Sequence, residues 1–300
     1  MQQTFDERNR DLLININGRL LPRDQAGVSP FDSVVQGGDA VWEGLRLYDG
    51  RIFRLAEHLT RLRHSALALA FHEIPAAETI TEEIRKTLTA NRMKDGVHIR
   101  LTLTRGEKIT SGMDPRLNQS GPTLIVLAEY KPPVYDQTGL CLITSTYRRP
   151  AADVLDPKIH HNNLLNSILA KIQANAAGAD DAIMLDSRGF VAETNATHLF
   201  LVEEDKVITP RAVACPEGIT RSVVLEMCQH LDIDAIQRDI SLAELVRGDE
   251  LFCTGTMGEL VPVITVDGRP IGNGQPGPIG VRLCTEFGQR TRMEGTVVAE

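Results

Sequence analysis

The chain has 300 residues, 42% of them hydrophobic and 24% charged, with a formal net charge of -8. That length suffices for a sizeable core and predicts two domains, and the acidic balance argues against nucleic acid or an anionic membrane as partner. No apolar run reaches membrane-spanning length and the polar start M-Q-Q-T-F-D-E-R-N-R has no signal-peptide core, while five scattered cysteines without a C-x-x-C pair predict reduced thiols in a cytoplasm, with neither a disulfide frame nor a metal site.

In chain order, L-L-I-N-I-N-G-R-L-L predicts a hairpin turning at Asn17-Gly18. A strand is expected over 41–48, turning at Asp49-Gly50 into R-I-F-R-L. Leu55, Leu59, Leu62, Ala66 and Leu69 recur at helical spacing and predict a helix over 55–71, and a second helix is expected over about 76–92. Two strands follow, V-H-I-R-L-T-L-T and T-L-I-V-L-A-E. On the first, His98, Arg100, Thr102 and Thr104 share one face, and Ile99, Leu101 and Leu103 the other. A strand that turns arginine and histidine inward reads as the lining of a carboxylate site; the competing reading is an edge strand with its polar face wet.

Lys131-Pro132-Pro133 interrupts the pattern and predicts a linker over 131–139, between a small domain (1–130) and a larger one (140–300). Beyond it, L-C-L-I-T-S-T predicts a strand and 163–177 a helix. Short strands, the helix R-S-V-V-L-E-M-C-Q-H-L, the strands L-F-C-T-G-T and V-P-V-I-T-V and a last helix over 281–290 complete the chain. Hairpins outnumber strand-helix-strand units, so the fold class is α+β, not a doubly wound sheet.

The chemistry gathers in the second half. Lys158 opens a polar loop, D-P-K-I-H-H-N-N, ahead of an amphipathic helix. A lysine becomes a Schiff-base former when desolvation or a cationic neighbour favours its neutral amine; most lysines are simply solvated. Adjacent His160 and His161 point in different directions and lack a supporting ligand cluster, so they read as loop groups. Downstream, the turn D-S-R-G-F precedes Glu193, either an exposed turn carboxylate or the partner of a cofactor ring nitrogen. Two segments read as phosphate holders. In P-E-G-I-T-R, Gly218 frees the backbone and Ile219-Thr220 open a helix whose amides favour an anion; the alternative is Thr220 as a plain N-cap. In C-T-G-T-M-G-E-L, glycines flank Thr256 at a strand end. Arg61, on the polar side of the first long helix, could add a cation to that phosphate or be a surface arginine. A lysine, a ring-nitrogen partner and a phosphate cup are what pyridoxal phosphate (PLP) requires.

These segments together resemble the class IV (fold type IV) PLP-dependent aminotransferases, which include branched-chain, D-amino acid and (R)-amine transaminases and aminodeoxychorismate lyase. The motifs V-W-E-G-L-R-L-Y-D-G, H-L-T-R-L-R-H-S-A, the lysine loop, A-E-T-N-A-T-H-L-F, G-I-T-R and T-G-T-M-G-E-L stand in family order over nearly the whole chain. The resemblance implies Lys158 as the Schiff-base lysine and proton shuttle, Glu193 as the ring-nitrogen partner, and Arg61, Gly218, Ile219, Thr220 and Thr256 as the phosphate cup, with Asn163 also at the cofactor. It implies a small α+β domain and a larger pseudo-barrel domain with PLP in the cleft between them. It also implies a homodimer or higher homo-oligomer, with a partner's loop, here around 110–118, completing each site.

For substrate, the resemblance points to Trp42, Gly44, His98, Arg100, Arg116 and Met257. V-W-E-G-L-R is similar to the branched-chain enzymes' F-E-G-I-R strand, and Arg100 matches their reader of glutamate's distal carboxylate. Three family tyrosines are replaced, by Gly37, His98 and Asn163, and D-P-R-L-N at Arg116 echoes the carboxylate trap of the D-amino acid enzymes. The expected reaction moves an amino group from a branched-chain or similar hydrophobic L-amino acid to 2-oxoglutarate. The alternatives are a D-amino acid or (R)-amine transaminase of the same fold, then aminodeoxychorismate lyase or a non-catalytic PLP-binding protein.

Overall fold

The computed structural model describes residues 3–299, which form two compact units. The first takes the chain as far as Pro132, together with Ile159–Asn163 and the stretch from Thr291; the second takes Pro133–Lys158 and Leu164–Arg290. The chain thus passes from one unit to the other not only at the Pro132-Pro133 break but again on either side of the loop that follows Lys158.

In the first unit, β1 (Leu13–Ile16) and β2 (Arg19–Pro22) form the expected hairpin, with Asn17 and Gly18 both at positive φ as its two-residue turn requires. Then come α1 (Ser33–Gly37), β3 (Ala40–Tyr48), β4 (Arg51–Ile52), α2 (Leu55–Ala68), α3 (Ala77–Ala90), β5 (Val97–Thr104) and β6 (Thr123–Tyr130). Helix α2 stops short of residue 71 because Leu69 leaves helical geometry and Ala70 sits at φ 55.

The sheet has seven strands, running from the C-terminal strand Thr296–Val297 through β4, β3, β5, β6 and β1 to β2. Strand β5 pairs along its whole length with β3 on one side and β6 on the other, so the wet-edge reading of its polar face is excluded. Its apolar face, Val97, Ile99, Leu101 and Leu103, joins Leu59 and Leu62 of α2 and Ile84 and Leu88 of α3 in one core. The period-2 pattern of β5 thus meets the 3.6-residue pattern of the helices, and the apolar area removed from water holds the layer together.

The second unit contains β7 (Leu140–Arg148), α4 (Ala152–Leu155), α5 (Leu165–Ala176), β8 (Asp181–Leu185), β9 (Val191–Thr194), β10 (His198–Glu203), β11 (Lys206–Thr209) and α6 (Ile219–His230). There follow β12 (Ala235–Gln237), α7 (Leu242–Leu245), β13 (Glu250–Gly255), β14 (Glu259–Val266), β15 (Arg269–Pro270) and α8 (Pro278–Met293). Its nine-stranded sheet is ordered β12-β11-β10-β13-β14-β7-β8-β9, with β15 beside β14. The β11/β12, β14/β7 and β7/β8 pairs are parallel and the others antiparallel, a mixed sheet that places the chain in the expected α+β class. Helix α8 starts earlier than its apolar pattern predicts because Glu250 reaches its first turn, accepting from Ile279 N at 3.0 Å and Gly280 N at 2.7 Å.

Candidate active site

Strand β3 splits V-W-E-G-L-R between two faces. Glu43 points with Val41, Leu45 and Leu47 toward α2 and is fully buried. Its carboxylate accepts from Arg61 Nε at 2.8 Å and Nη2 at 2.7 Å, and His58 Nδ1 lies 2.7 Å away. His160 Nδ1 is 3.4 Å from the same group and donates to the Trp42 carbonyl at 2.6 Å. Burial alone would push the Glu43 carboxyl up, but Arg61 and His160 outweigh it and hold the group well below the usual range. Arg61 is therefore no surface cation: two of its nitrogens are committed to Glu43. A glutamate among the apolar positions of that strand was a legible signal that a partner had to exist, and the motif reading passed over it.

On the opposite face Trp42, Gly44, His98 and Arg100 come together. The Arg100 guanidinium carbon lies 3.4 Å over the Trp42 ring, and its Nη2 donates to Asn162 Oδ1 at 3.2 Å. Burial brings the Arg100 pKa down to about 10. Residues 160–162 pair with the start of β3 through Trp42 N to His160 O and Asn162 N to Ala40 O, and the Trp42 indole donates to the His161 carbonyl. Asn163 follows, beside Gly38. A side chain at Gly44 would meet the Trp42 ring at 3.4 Å and His98 Nε2 at 3.6 Å, so glycine keeps that space open. Arg116 is not part of this group: its side chain is 90% exposed and bound to Asp114 within its own loop.

In the second unit, Lys158 does not have the desolvated, cationic surroundings expected of it. Its side chain is half exposed, and Nζ donates to Glu217 Oε1 at 2.6 Å. That bond holds the Glu217 carboxyl below its ordinary range. Glu193, carried on β9 opposite Met184 of β8, is buried, and its Oε1 lies 2.9 Å from Arg149 Nε. Ligand-capable atoms of Glu193, His198 and Cys215 gather within 4.8 Å of one another, with the Arg149 guanidinium supplying positive charge beside them. Burial, then Glu193, pushes the Cys215 thiol up, so it is not a thiolate.

Helix α6 is capped by Gly218, not Thr220, and no side chain caps its first amides. A Cβ on Gly218 would stand 2.3 Å from the His198 imidazole, so only glycine fits there. Thr220 is buried, whereas Arg221 turns its guanidinium to Pro210 O and Gln237, away from any anion role. Thr256 and Met257 lie in the turn between β13 and β14, next to Thr254, whose buried hydroxyl has no hydrogen-bond partner. Val134 N donates to Met257 O, and the Tyr135 ring fills the space beside Gly258, while Tyr135 donates to buried Asp181. Glu43, Arg149, Glu217 and His198 were all missed by the sequence reading. Each acquires its meaning from a partner distant in the chain.

Comparison with known proteins relates the chain to a family. The amino-transferase class IV family matches residues 40–266. The chain is 54% identical over 97% of its length to branched-chain-amino-acid aminotransferase-like protein 2 of Arabidopsis thaliana, of which it spans about half, 52%. It is 40% identical over 91% of its length to a putative branched-chain-amino-acid aminotransferase of Methanocaldococcus jannaschii, covering 94% of that protein. Among solved structures, a T.th. branched-chain amino acid aminotransferase complexed with N-(5'-phosphopyridoxyl)-L-glutamate matches with a TM-score of 0.88 at 33% identity, over 94% of this chain and 95% of that one.

Proposed function

The chain belongs to the class IV aminotransferase family, and from that premise we propose that it is a PLP-dependent transaminase moving an amino group from a branched-chain or similar hydrophobic L-amino acid to 2-oxoglutarate. The residues fit such a cofactor. Uncapped amides open α6, a buried Thr254 hydroxyl lacks a partner, Gly218 admits no side chain, and a buried carboxylate and a primary amine complete the donor set.

When bound, PLP supplies an electron sink for the carbon that loses its proton. In this reading the Lys158 amine would hold the cofactor and would serve as the acid-base group that carries the proton at the reacting carbon. Glu193, paired with Arg149, would hold the ring nitrogen. Within the second unit, Ile219, Thr220 and Thr256 would hold the phosphate, with Met257 beside them.

Arg100 carries the substrate assignment. It is a desolvated cation braced on Trp42 and Asn162, whereas Arg116 is exposed and already neutralised by Asp114. That contrast favours the branched-chain type over the D-amino acid type. A homodimer belongs to the same reading, supported by Leu165, Ile168, Leu169 and Ile172, which leave an exposed apolar stripe on α5. No described helix is long and apolar enough to cross a membrane.

The test is the visible spectrum of the PLP-loaded protein with L-isoleucine, L-glutamate, D-alanine or (R)-1-phenylethylamine. Fastest bleaching by the two L-acids is expected; bleaching mainly by D-alanine or the amine would move the assignment to those subfamilies. Lys158→Ala should lower turnover by about a thousandfold or more while leaving the fold intact.

A further inference from the structure

On the face of β3 and β5 turned away from α2, His98 is a buried side chain whose ring nitrogens are unused. His98 is 8% exposed, and neither ring nitrogen makes a hydrogen bond. Its Nδ1 faces Glu129, directly across the β5/β6 pair, with Oε1 at 3.6 Å, an ion-pair distance too long for a hydrogen bond. Its Nε2 borders the space that Gly44 keeps open, at 3.6 Å from where a Cβ would stand. Arg100 lies on the same face two residues along, stacked on Trp42.

The charged groups around the ring can be named from each element. Arg46 faces it from β3, and Glu129 and Lys131 from β6 and the residue after it. Arg100 comes from its own strand. Lys131 is itself paired with Glu129, its Nζ 3.6 Å from the same carboxylate oxygen, and Arg46 donates to the Lys131 carbonyl.

Resting on the transaminase reading, we propose that His98 completes the substrate-carboxylate site with Arg100, and that binding the carboxylate draws a proton from solvent onto the His98 ring. A neutral imidazole has a single N–H, and two acceptors flank this one: Glu129 at Nδ1 and the incoming carboxylate at Nε2. Only the doubly protonated ring donates to both. Before binding, burial first, then Lys131 and Arg100, hold His98 below its ordinary 6.5 despite Glu129, so the ring is neutral near pH 7.5. The arriving carboxylate adds a negative charge beside it and favours the imidazolium. Carboxylate affinity then falls as pH rises above the free-site pKa of His98, by up to about tenfold per pH unit. The space at Gly44 sets where the carboxylate sits, and the Trp42-braced Arg100 supplies its permanent counter-charge.

The experiment is calorimetric titration of the PLP-loaded protein with glutarate, a dicarboxylate with no amino or keto group to react. It is run at about pH 7.5 in phosphate and in Tris, whose ionisation enthalpies differ. The wild type should take up about one proton per site. His98→Gln, which keeps a donor but cannot titrate, should bind glutarate with no uptake attributable to that position and a flatter pH dependence. His98→Phe should bind about tenfold more weakly. Equal proton uptake in wild type and His98→Gln overturns the proposal, as does no uptake in the wild type. Nitrogen NMR of histidine-labelled wild type gives a second readout free of substitution: a His98 ring still neutral at glutarate saturation overturns it equally. Glutarate binding needs no turnover, so this result fails or stands apart from the spectral test of the transaminase itself.

Discussion

Glu43 shows how much one buried carboxylate can organise. It joins β3 to α2 through Arg61 and His58 and to the stretch after Lys158 through His160. A lone charge in that position would be untenable, whereas removing either partner leaves the other buried and uncompensated. Glu43→Gln should therefore destabilise the protein by about 3–5 kcal/mol at neutral pH. The pH dependence has a definite sign. The carboxyl has an ordinary value of 4.5 and titrates well below that when folded. Its contribution is complete above about pH 4.5 and is lost as pH falls through the folded value. Thermal midpoints measured from acid to neutral pH should show a shallower acid limb in Glu43→Gln; an unchanged slope there would contradict the assignment. Lys158 is the converse case, a side chain whose exposed ion pair with Glu217 says little by itself and whose proposed role rests on motif and family.

Two helix starts place tightly constrained glycines. At α6 the cap is a glycine pressed against His198, leaving the first amides without a side-chain partner. At α8 the opposite solution appears, with Glu250 of β13 filling the helix N-terminus by two charge-assisted hydrogen bonds. A Cβ on Gly277 would lie 2.0 Å from the Glu250 carboxyl carbon, so that glycine is dictated by close approach. Glu250→Ala should cost about 1–2 kcal/mol, because Ile279 N and Gly280 N lose their acceptor. Urea unfolding should report this as a lower midpoint with unchanged slope, since the core clusters are untouched. An unchanged midpoint would mean that solvent replaces the carboxylate.

At the scale of the whole molecule, α5 is the element whose sequence and surroundings disagree. It buries Ala170 and Ala174 in a cluster with Ala182 and Met184, while four large apolar side chains face out at i, i+3, i+4 and i+7. Such a stripe is expected to be covered in solution, and a second copy of the chain is the occupant proposed above. Leu165→Glu combined with Ile172→Glu should convert dimer to monomer in sedimentation velocity with the far-ultraviolet circular dichroism unchanged. Identical sedimentation of variant and wild type would remove α5 from the interface. The chain corresponds to about half the length of its Arabidopsis relatives, so the activity proposed is that of the class IV portion.

Periodicity and turn chemistry, both local properties, settled much of the architecture from sequence. The Asn17-Gly18 hairpin, the two faces of β5, helix α3, the α+β class and α2 up to its early end at Ala68 follow the residue pattern, because each pattern reports which side of its own segment avoids water. The motif order identified the family for a similar reason: Lys158, Glu193, G-I-T-R and T-G-T are recognisable without knowing what they touch. Partners were not legible. That Arg61 clamps Glu43, that Arg149 meets Glu193, that Lys158 reaches Glu217 and that residues 159–163 return to the first unit depend on segments 15 or more positions apart closing on one another. The same holds for His98, whose sequence reading stopped at a polar face. Only the packed sheet, with Glu129 behind the ring and Gly44 in front, decided that its nitrogens are buried and unspent. Alternation along a strand records burial, whereas the identity of the neighbour across it is set by register, and register is a property of the folded sheet.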